Sequence, residues 1–455
     1  VSQIDVYTLT ENSKLNSFHL LILFWCSLML IFDGYDLAVA GIALPLIMKD
    51  MGVTAASAGF MVSSALFGMV FGSVLLGTAS DRIGRRRVMA ISILMLTVFT
   101  AAAGFTRNPL VFGILRFSAG LGMGGIIPNA VAQMTEYAPR RLRGTMVSLS
   151  FAGFAAGGVL AAVLGKGLIE QFGWESVFIV AGVPFVLIPV VLRWMPESIS
   201  YLVKSGRSDE LRRILTRVEP KYKAQETDRF VLSRMTESNH SYVGELFAEG
   251  RGFSTVMLWT AFFISLFMVY GMNSWLTKLM ANAGYSLGSA LTFVLIFNFG
   301  AAVGGLAGGY AADRIKIKYV LVVMYLLSAV SIGVMGYGVP TWLLFVLVGL
   351  AGASTIGTQI VTLAFAGQFY PSRVRGTGVG WASGMGRIGA IIAPIVIGIL
   401  VGMELPLQQS FLAIALPGIL AAVAISLIDQ KRSAHHRDAD DHGSDAAVME
   451  ATLPR

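Results

Sequence analysis

The chain has 455 residues, of which 55% are apolar and only 13% charged, with 51 glycines and a formal net charge of +8. A soluble domain carries roughly a quarter charged residues, so the composition excludes a soluble globular protein and fits closely packed membrane helices. The positive balance does not point to nucleic acid either, because Lys and Arg fall in short clusters between apolar runs, the pattern of cytoplasmic loops.

Apolar runs of spanning length occur near 19–44, 57–79, 88–106, 109–134, 145–168 and 174–195, and again near 254–278, 288–311, 319–338, 341–366, 378–402 and 407–428. The expected architecture is an all-α membrane protein of twelve transmembrane helices. A tail (1–17) precedes a six-helix bundle (18–195), a polar linker (196–253), a second six-helix bundle (254–428) and a polar, disordered tail (429–455). Ala38-Val39-Ala40 looks like a signal-peptide cleavage site, but two aspartates interrupt the apolar region such a signal needs, so the first run is read as a retained helix. The lone cysteine, Cys26, rules out an intramolecular disulfide framework.

Orientation follows from the loops. One parity carries Arg82, Arg85, Arg86 and Arg87, then Arg140, Arg141 and Arg143, then Arg314, Lys316 and Lys318, then Arg373 and Arg375. The other offers only Lys49, Arg107, Lys166 and Lys278. The positive-inside bias places both termini and the linker in the cytoplasm.

Inside the first run lies Asp33-Gly34-Tyr35-Asp36. Each charged Asp at that depth costs roughly 2.5–3.5 kcal/mol, which marks the pair as functional. At i and i+3 the two share a helix face, and Gly34 lets a backbone or ligand approach. The structural alternative is that one Asp caps a helix or satisfies a polar neighbour. In the fourth run Arg116 stays charged and must face water, a carboxylate or a ligand anion. It suits both a partner for a helix-1 Asp and an anion site, in turn. Further along come Asn129, Gln133 and Glu136, the last expected to pair with basic loop residues rather than with a ligand.

Arg387 sits in Gly384-Met385-Gly386-Arg387-Ile388-Gly389. A dinucleotide fingerprint needs a preceding strand, and this string lies inside an apolar span. Here the glycines open room for an arginine able to hold a carboxylate through two parallel hydrogen bonds, with a conformational salt bridge as the alternative. Tyr270, Asn273, Trp275, Phe293, Asn298, Gln359 and Trp381 each suit packing, and together could line a ring-binding pocket. Gly120 and Gly124, and Gly153, Gly157 and Gly158, read as close helix packing.

The two series are related. Gly77-Thr78-Ala79-Ser80-Asp81-Arg82 matches Gly309-Tyr310-Ala311-Ala312-Asp313-Arg314 at an offset of 232 residues, and Pro139, Arg141, Arg143, Gly144 and Thr145 meet Pro371, Arg373, Arg375, Gly376 and Thr377 at the same offset. Arg387 has no counterpart, because position 155 is Ala. Parallel six-helix repeats imply a site near the midplane with the halves rocking about it.

Gly77-x-x-x-Asp81-Arg82-x-Gly84-Arg85-Arg86-Arg87 resembles the signature loop between helices 2 and 3 of the major facilitator superfamily. Asp33-Gly34-Tyr35-Asp36 resembles the helix-1 motif of its aromatic acid:proton symporter family, and Pro196-Glu197-Ser198 also fits the superfamily. The resemblance covers about residues 18–428. It implies two pseudo-symmetric bundles and a monomeric, proton-coupled importer of a small aromatic carboxylate, of benzoate or hydroxybenzoate type, in the bacterial inner membrane. No cofactor is implied beyond the transmembrane proton gradient. On this reading Asp33 and Asp36 couple the proton. Arg387, Arg116, Tyr35, Asn298, Trp275 and Gln359 bind substrate. Asp81, Arg82, Arg85, Glu136, Arg143, Asp313, Arg314 and Arg375 gate. The second-half loop 313–318 departs from the pattern, lacking the Gly and the three-Arg run. Two rivals remain: an exporting antiporter of the same fold, and a membrane-embedded enzyme, for which the sequence offers no HExxH pair, Cys/His cluster or Walker loop.

Overall fold

The computed structural model describes residues 3–222, 225, 228–232, 243–371 and 374–429, apart from the side chains of Glu249 and Asp313. Arg373 and the tail from 430 onward lie outside the described residues. Among the described residues twelve helices are long and apolar enough to cross a membrane. They are α1 (Ser17–Met51), α2 (Ala55–Ile83), α3 (Arg85–Ala103), α4 (Pro109–Tyr137), α5 (Arg143–Phe172), α6 (Glu175–Trp194), α7 (Gly252–Asn282), α8 (Leu287–Arg314), α9 (Ile317–Val334), α10 (Thr341–Phe369), α11 (Arg375–Gly402) and α12 (Leu407–Leu427). Large side chains such as Phe60 and Phe71 on α2, Val323 and Val330 on α9 and Leu420 on α12 are more than half exposed. A water-soluble surface does not tolerate such a load, whereas lipid does. The chain is a multi-pass membrane protein.

Local signals set the helix starts. Asn108 accepts from the backbone N–H groups of Leu110 and Val111, with Pro109 in the first helical position of α4. Thr54 caps α2 through the Ser57 N–H. The sixth span departs from the expected single run. It is helical over Glu175–Val180, turns through Ala181 and Gly182, forms a 3-10 stretch over Val183–Leu187 and resumes over Ile188–Trp194. Pro184 lacks an N–H and its ring crowds the carbonyl four residues back, which breaks the α-helical ladder there.

Glycine contacts carry the helix pairing, and they repeat. In the first half, a Cβ at Gly68 or Gly72 of α2 would run into the Phe117 or Leu121 carbonyl of α4. In the second half Gly300 and Gly304 of α8 stand in the same way against Gly349 and Ala353 of α10. All four positions are displaced by 232 residues. Likewise Gly157 of α5 abuts the Ile31 carbonyl of α1, and Gly389 of α11 abuts the Phe263 carbonyl of α7, again at 232. The repeat is therefore written in backbone-to-backbone contacts, the main route to tight association where water supplies no hydrophobic drive.

Compactness divides the chain differently from the repeat. One unit gathers the described residues of Val1–Glu237 with Asn273–Phe299 and Pro394–Leu405; the other gathers those of Ser238–Met272, Gly300–Ala393 and Pro406 onward. In the first unit Gly41 meets the Asn273 backbone, Gly59 the Pro394 carbonyl, Gly158 the Asn298 amide, and Gly398 both Ala55 and Trp275. Those parts of α7, α8 and α11, remote from the signature loop, are thus built into the first half.

At the opposite end of α1, tail and linker are built together. Strand β1 (Gln3–Asp5) pairs in parallel with β2 (Arg229–Val231) of the linker, Ile4 opposite Phe230. Asn16, which caps α1, donates to the carbonyls of Arg217 and Val218 at the end of the linker helix Ser208–Val218.

Candidate functional site: a buried acid–base pair and a loop cluster

Asp36 and Arg116 meet inside the first unit, 80 residues apart in sequence and each only 1% exposed. Nη1 of Arg116 donates to Asp36 Oδ1 at 2.8 Å and Nη2 to the Asp36 backbone carbonyl at 3.3 Å. Thr100 of α3 completes the group: its hydroxyl donates to the same Oδ1 and accepts from Arg116 Nη1 at 3.3 Å. The guanidinium carbon also lies 5.8 Å from the centroid of the Phe178 ring on α6. Three helices therefore converge on one carboxylate oxygen, with charge-assisted bonds in a low-dielectric interior. Asp33, one turn earlier on α1, is fully buried as well. Between them Gly34 faces the Phe154 carbonyl, so the glycine serves the α1–α5 contact rather than a ligand.

The remaining predicted ligand residues fall in both units. Tyr35 is buried and donates its hydroxyl to the Val177 carbonyl at 2.7 Å. Trp275 is fully buried, its indole N–H on the Pro394 carbonyl at 3.0 Å. Asn298 is buried and donates to the Val294 carbonyl of its own helix. Arg387 and Gln359 are half-buried in the second unit. Of the other aromatics of the expected ring pocket, Phe293 packs edge-on to Tyr285 and Trp381 stacks on Trp259 of α7.

The signature loop forms a second cluster. Gly84, at φ +93°, links α2 to α3, and a Cβ there would lie 2.6 Å from the Glu197 carboxylate. Glu197 accepts from the Arg86 N–H and stands 4.0 Å from its guanidinium, which also faces Glu210 at 3.6 Å. Arg85 pairs with Glu136 at 2.8 Å. Glu136 accepts in addition from the hydroxyls of Ser198 and Ser200 and from the Ile199 N–H. Arg143 reaches Glu11 of the amino-terminal tail at 3.1 Å. Arg85, Glu136, Arg143, Tyr7 and Ser200 border a cavity of about 310 Å³. Asp81 and Arg82 are exposed. In the second unit Arg314 lies over the Tyr310 ring and Arg375 Nε donates to the Tyr370 carbonyl. The Asp313 side chain lies outside the described residues.

Thr100, Phe178, Glu197, Ser198, Ser200 and Glu11 were not singled out as site residues from sequence. For Glu197 the Pro-Glu-Ser string was a usable signal; Thr100 offered only a hydroxyl in an apolar run.

The major facilitator superfamily profile matches residues 26–307 and 286–452. The chain belongs to that superfamily. It is 40% identical over 436 residues to the benzoate transport protein of Acinetobacter baylyi, covering 94% of each chain. It is 34% identical over 442 residues to a 4-hydroxybenzoate transporter of Pseudomonas aeruginosa, covering 96% of this chain and 98% of the relative. A gallate transporter of Pseudomonas putida is 33% identical over 425 residues, with 93% and 94% covered. The fold is shared with the Escherichia coli xylose transporter XylE in its inward open conformation, at a TM-score of 0.71 and 16% identity over 92% of this chain and 99% of that one.

Proposed function

We propose that this member of the superfamily is a proton-coupled symporter that imports a small aromatic carboxylate by alternating access across a bacterial inner membrane, with both termini cytoplasmic. The observation that carries the reading is the sealed Asp36–Arg116 pair, in a chain whose relatives are named as carriers of benzoate and hydroxylated benzoates. When Asp36 takes a proton, the pair loses its anion and leaves Arg116 a buried cation. Such a cation must find another anion, and an aromatic carboxylate entering the site supplies one. Release of the proton restores the pair and expels the carboxylate. Asp33 lies one turn away as the second coupling group. Arg387, half-buried in the second unit, is the first anchor of the substrate carboxylate through its planar fork, and Arg116 receives the carboxylate in turn once Asp36 is protonated; Gln359 is a further polar contact. Access alternates as the contacts at Gly41, Gly59, Gly158 and Gly398 separate and re-form, while Asp81 latches the opposite end.

Proteoliposomes test this directly. Benzoate and 4-hydroxybenzoate should accumulate against their gradients when the outside is acidified, and collapse of the proton gradient should abolish accumulation. The neutral analogue benzamide should not accumulate. Gradient-driven depletion of the acids from the vesicle lumen under the same polarity would indicate an antiporter instead.

A further inference from the structure

We infer that Phe178 is a positioning residue: its ring face holds the Arg116 guanidinium while Asp36 is neutral, and the substrate carboxylate must draw the cation off that face. This deepens the proposed exchange at Asp36, and only its second half rests on that reading.

Arg116 presents five N–H donors and cannot give up its charge. Among the described residues its supports differ in kind. Asp36 Oδ1 is an anion. The Thr100 hydroxyl oxygen and the Asp36 backbone carbonyl, each at 3.3 Å, are neutral acceptors. The Phe178 ring offers a π-face, its centroid 5.8 Å from the guanidinium carbon, within the roughly 6 Å over which a ring quadrupole attracts a cation. A proton on Asp36 removes the anion and leaves the other three. Arg116 is 1% exposed and Phe178 is fully buried. Without water, such a contact is worth roughly thirtyfold in an equilibrium.

The ring is fixed from two sides. Phe112, one turn before Arg116 on α4, stands edge-on to it with centroids 5.5 Å apart, and Trp174, just before α6, stands edge-on at 5.7 Å. Trp174 is itself tied down, its indole N–H donating to Asp50 at 3.3 Å. A ring clamped in this way cannot follow the guanidinium, so any movement of Arg116 toward another anion breaks the contact. A weaker hold therefore has two opposite effects. It destabilises the chain when the cation is orphaned, and it eases transfer of that cation to a carboxylate. Damaged packing would lower stability and affinity together.

The probes are 3,5-difluoro- and 3,4,5-trifluorophenylalanine at position 178, which drain negative charge from the ring face with almost no change of shape. They are introduced by stop-codon suppression into Asp36→Asn, whose amide stands in for the neutral carboxyl. Thermal unfolding should fall with each added fluorine, by about 2 °C or more across the series, and should not change in Asp36→Asn/Arg116→Gln. The same series with Asp36 retained should slope more gently, and be flat in Arg116→Gln. A flat series in Asp36→Asn, or an equal slope without Arg116, would overturn the inference. Benzoate binding to the Asp36→Asn proteins should tighten about threefold or more across the series, with benzamide unchanged. Benzoate affinity that falls along with stability would reduce Phe178 to packing. A falling melting temperature at constant benzoate affinity would leave the hold on Arg116 standing and refute Arg116 as a receiver of the substrate carboxylate.

Discussion

Replacing Asp36 by Asn separates two consequences of one buried pair. Both side chains are 1% exposed, and Arg116 takes its only side-chain anion from Asp36 among the described residues. Removing one partner of such a pair costs about 3–5 kcal/mol, because the other charge stays buried. Here the cost falls toward about 3 kcal/mol, since the amide oxygen still accepts and the Asp36 carbonyl and Phe178 ring remain on the guanidinium. Adding Arg116→Gln removes the orphaned charge, so the double variant should recover most of that loss. The coupling term should be about 2 kcal/mol or more, against a few tenths for independent sites. Denaturant-induced unfolding of the purified variants in detergent measures stability, and proteoliposome uptake measures coupling. Neither the single nor the double variant should accumulate benzoate, since neither can cycle a proton at that position. If Asp36→Asn is as stable as wild type, or if the two losses simply add, the pair does not act as a unit. Full proton-driven uptake by Asp36→Asn would remove it from the mechanism.

Arg387→Lys should not restore what Arg387→Ala loses, because an ammonium lacks the two-donor fork. Benzoate affinity should fall about ten- to a hundredfold while benzamide binding barely changes, and equal losses for acid and amide would shift the anion site to Arg116. Asp81→Asn should slow transport with little change in equilibrium affinity measured in a fixed conformation, and a large affinity loss would argue for direct binding. Gly157→Ala drives a methyl into the Ile31 carbonyl and should lower stability by about 1–3 kcal/mol. Gly380→Ala in α11, with nothing near its Cβ, should be neutral or stabilising by about 0.4–1 kcal/mol, and equal effects of the two in thermal unfolding would refute the packing argument.

The twelve spans, the polar linker and the 232-residue repeat are legible from sequence because a bilayer admits only segments that satisfy their own backbone over a fixed thickness. The same constraint singles out Asp33, Asp36, Arg116 and Arg387, since charge at that depth is expensive wherever it points. Partners are another matter. Asp36 and Arg116 lie 80 residues apart, and whether they meet depends on how α1 and α4 rotate against each other. That rotation is set by glycine contacts distributed over four helices. Thr100 gains a role only once α3 is turned toward that pair. The break in α6 is hidden in the run 174–195 because a 3-10 turn is as apolar as the helix it interrupts. The loop arginines 82–87 and 140–143 offer several possible partners to Glu136, Glu197 and Glu11, and the fold of the tail and linker decides which arginine each receives. Apolarity and charge at depth are properties of one residue and its neighbours along the chain; pairing and cavities belong to surfaces that only packing brings together.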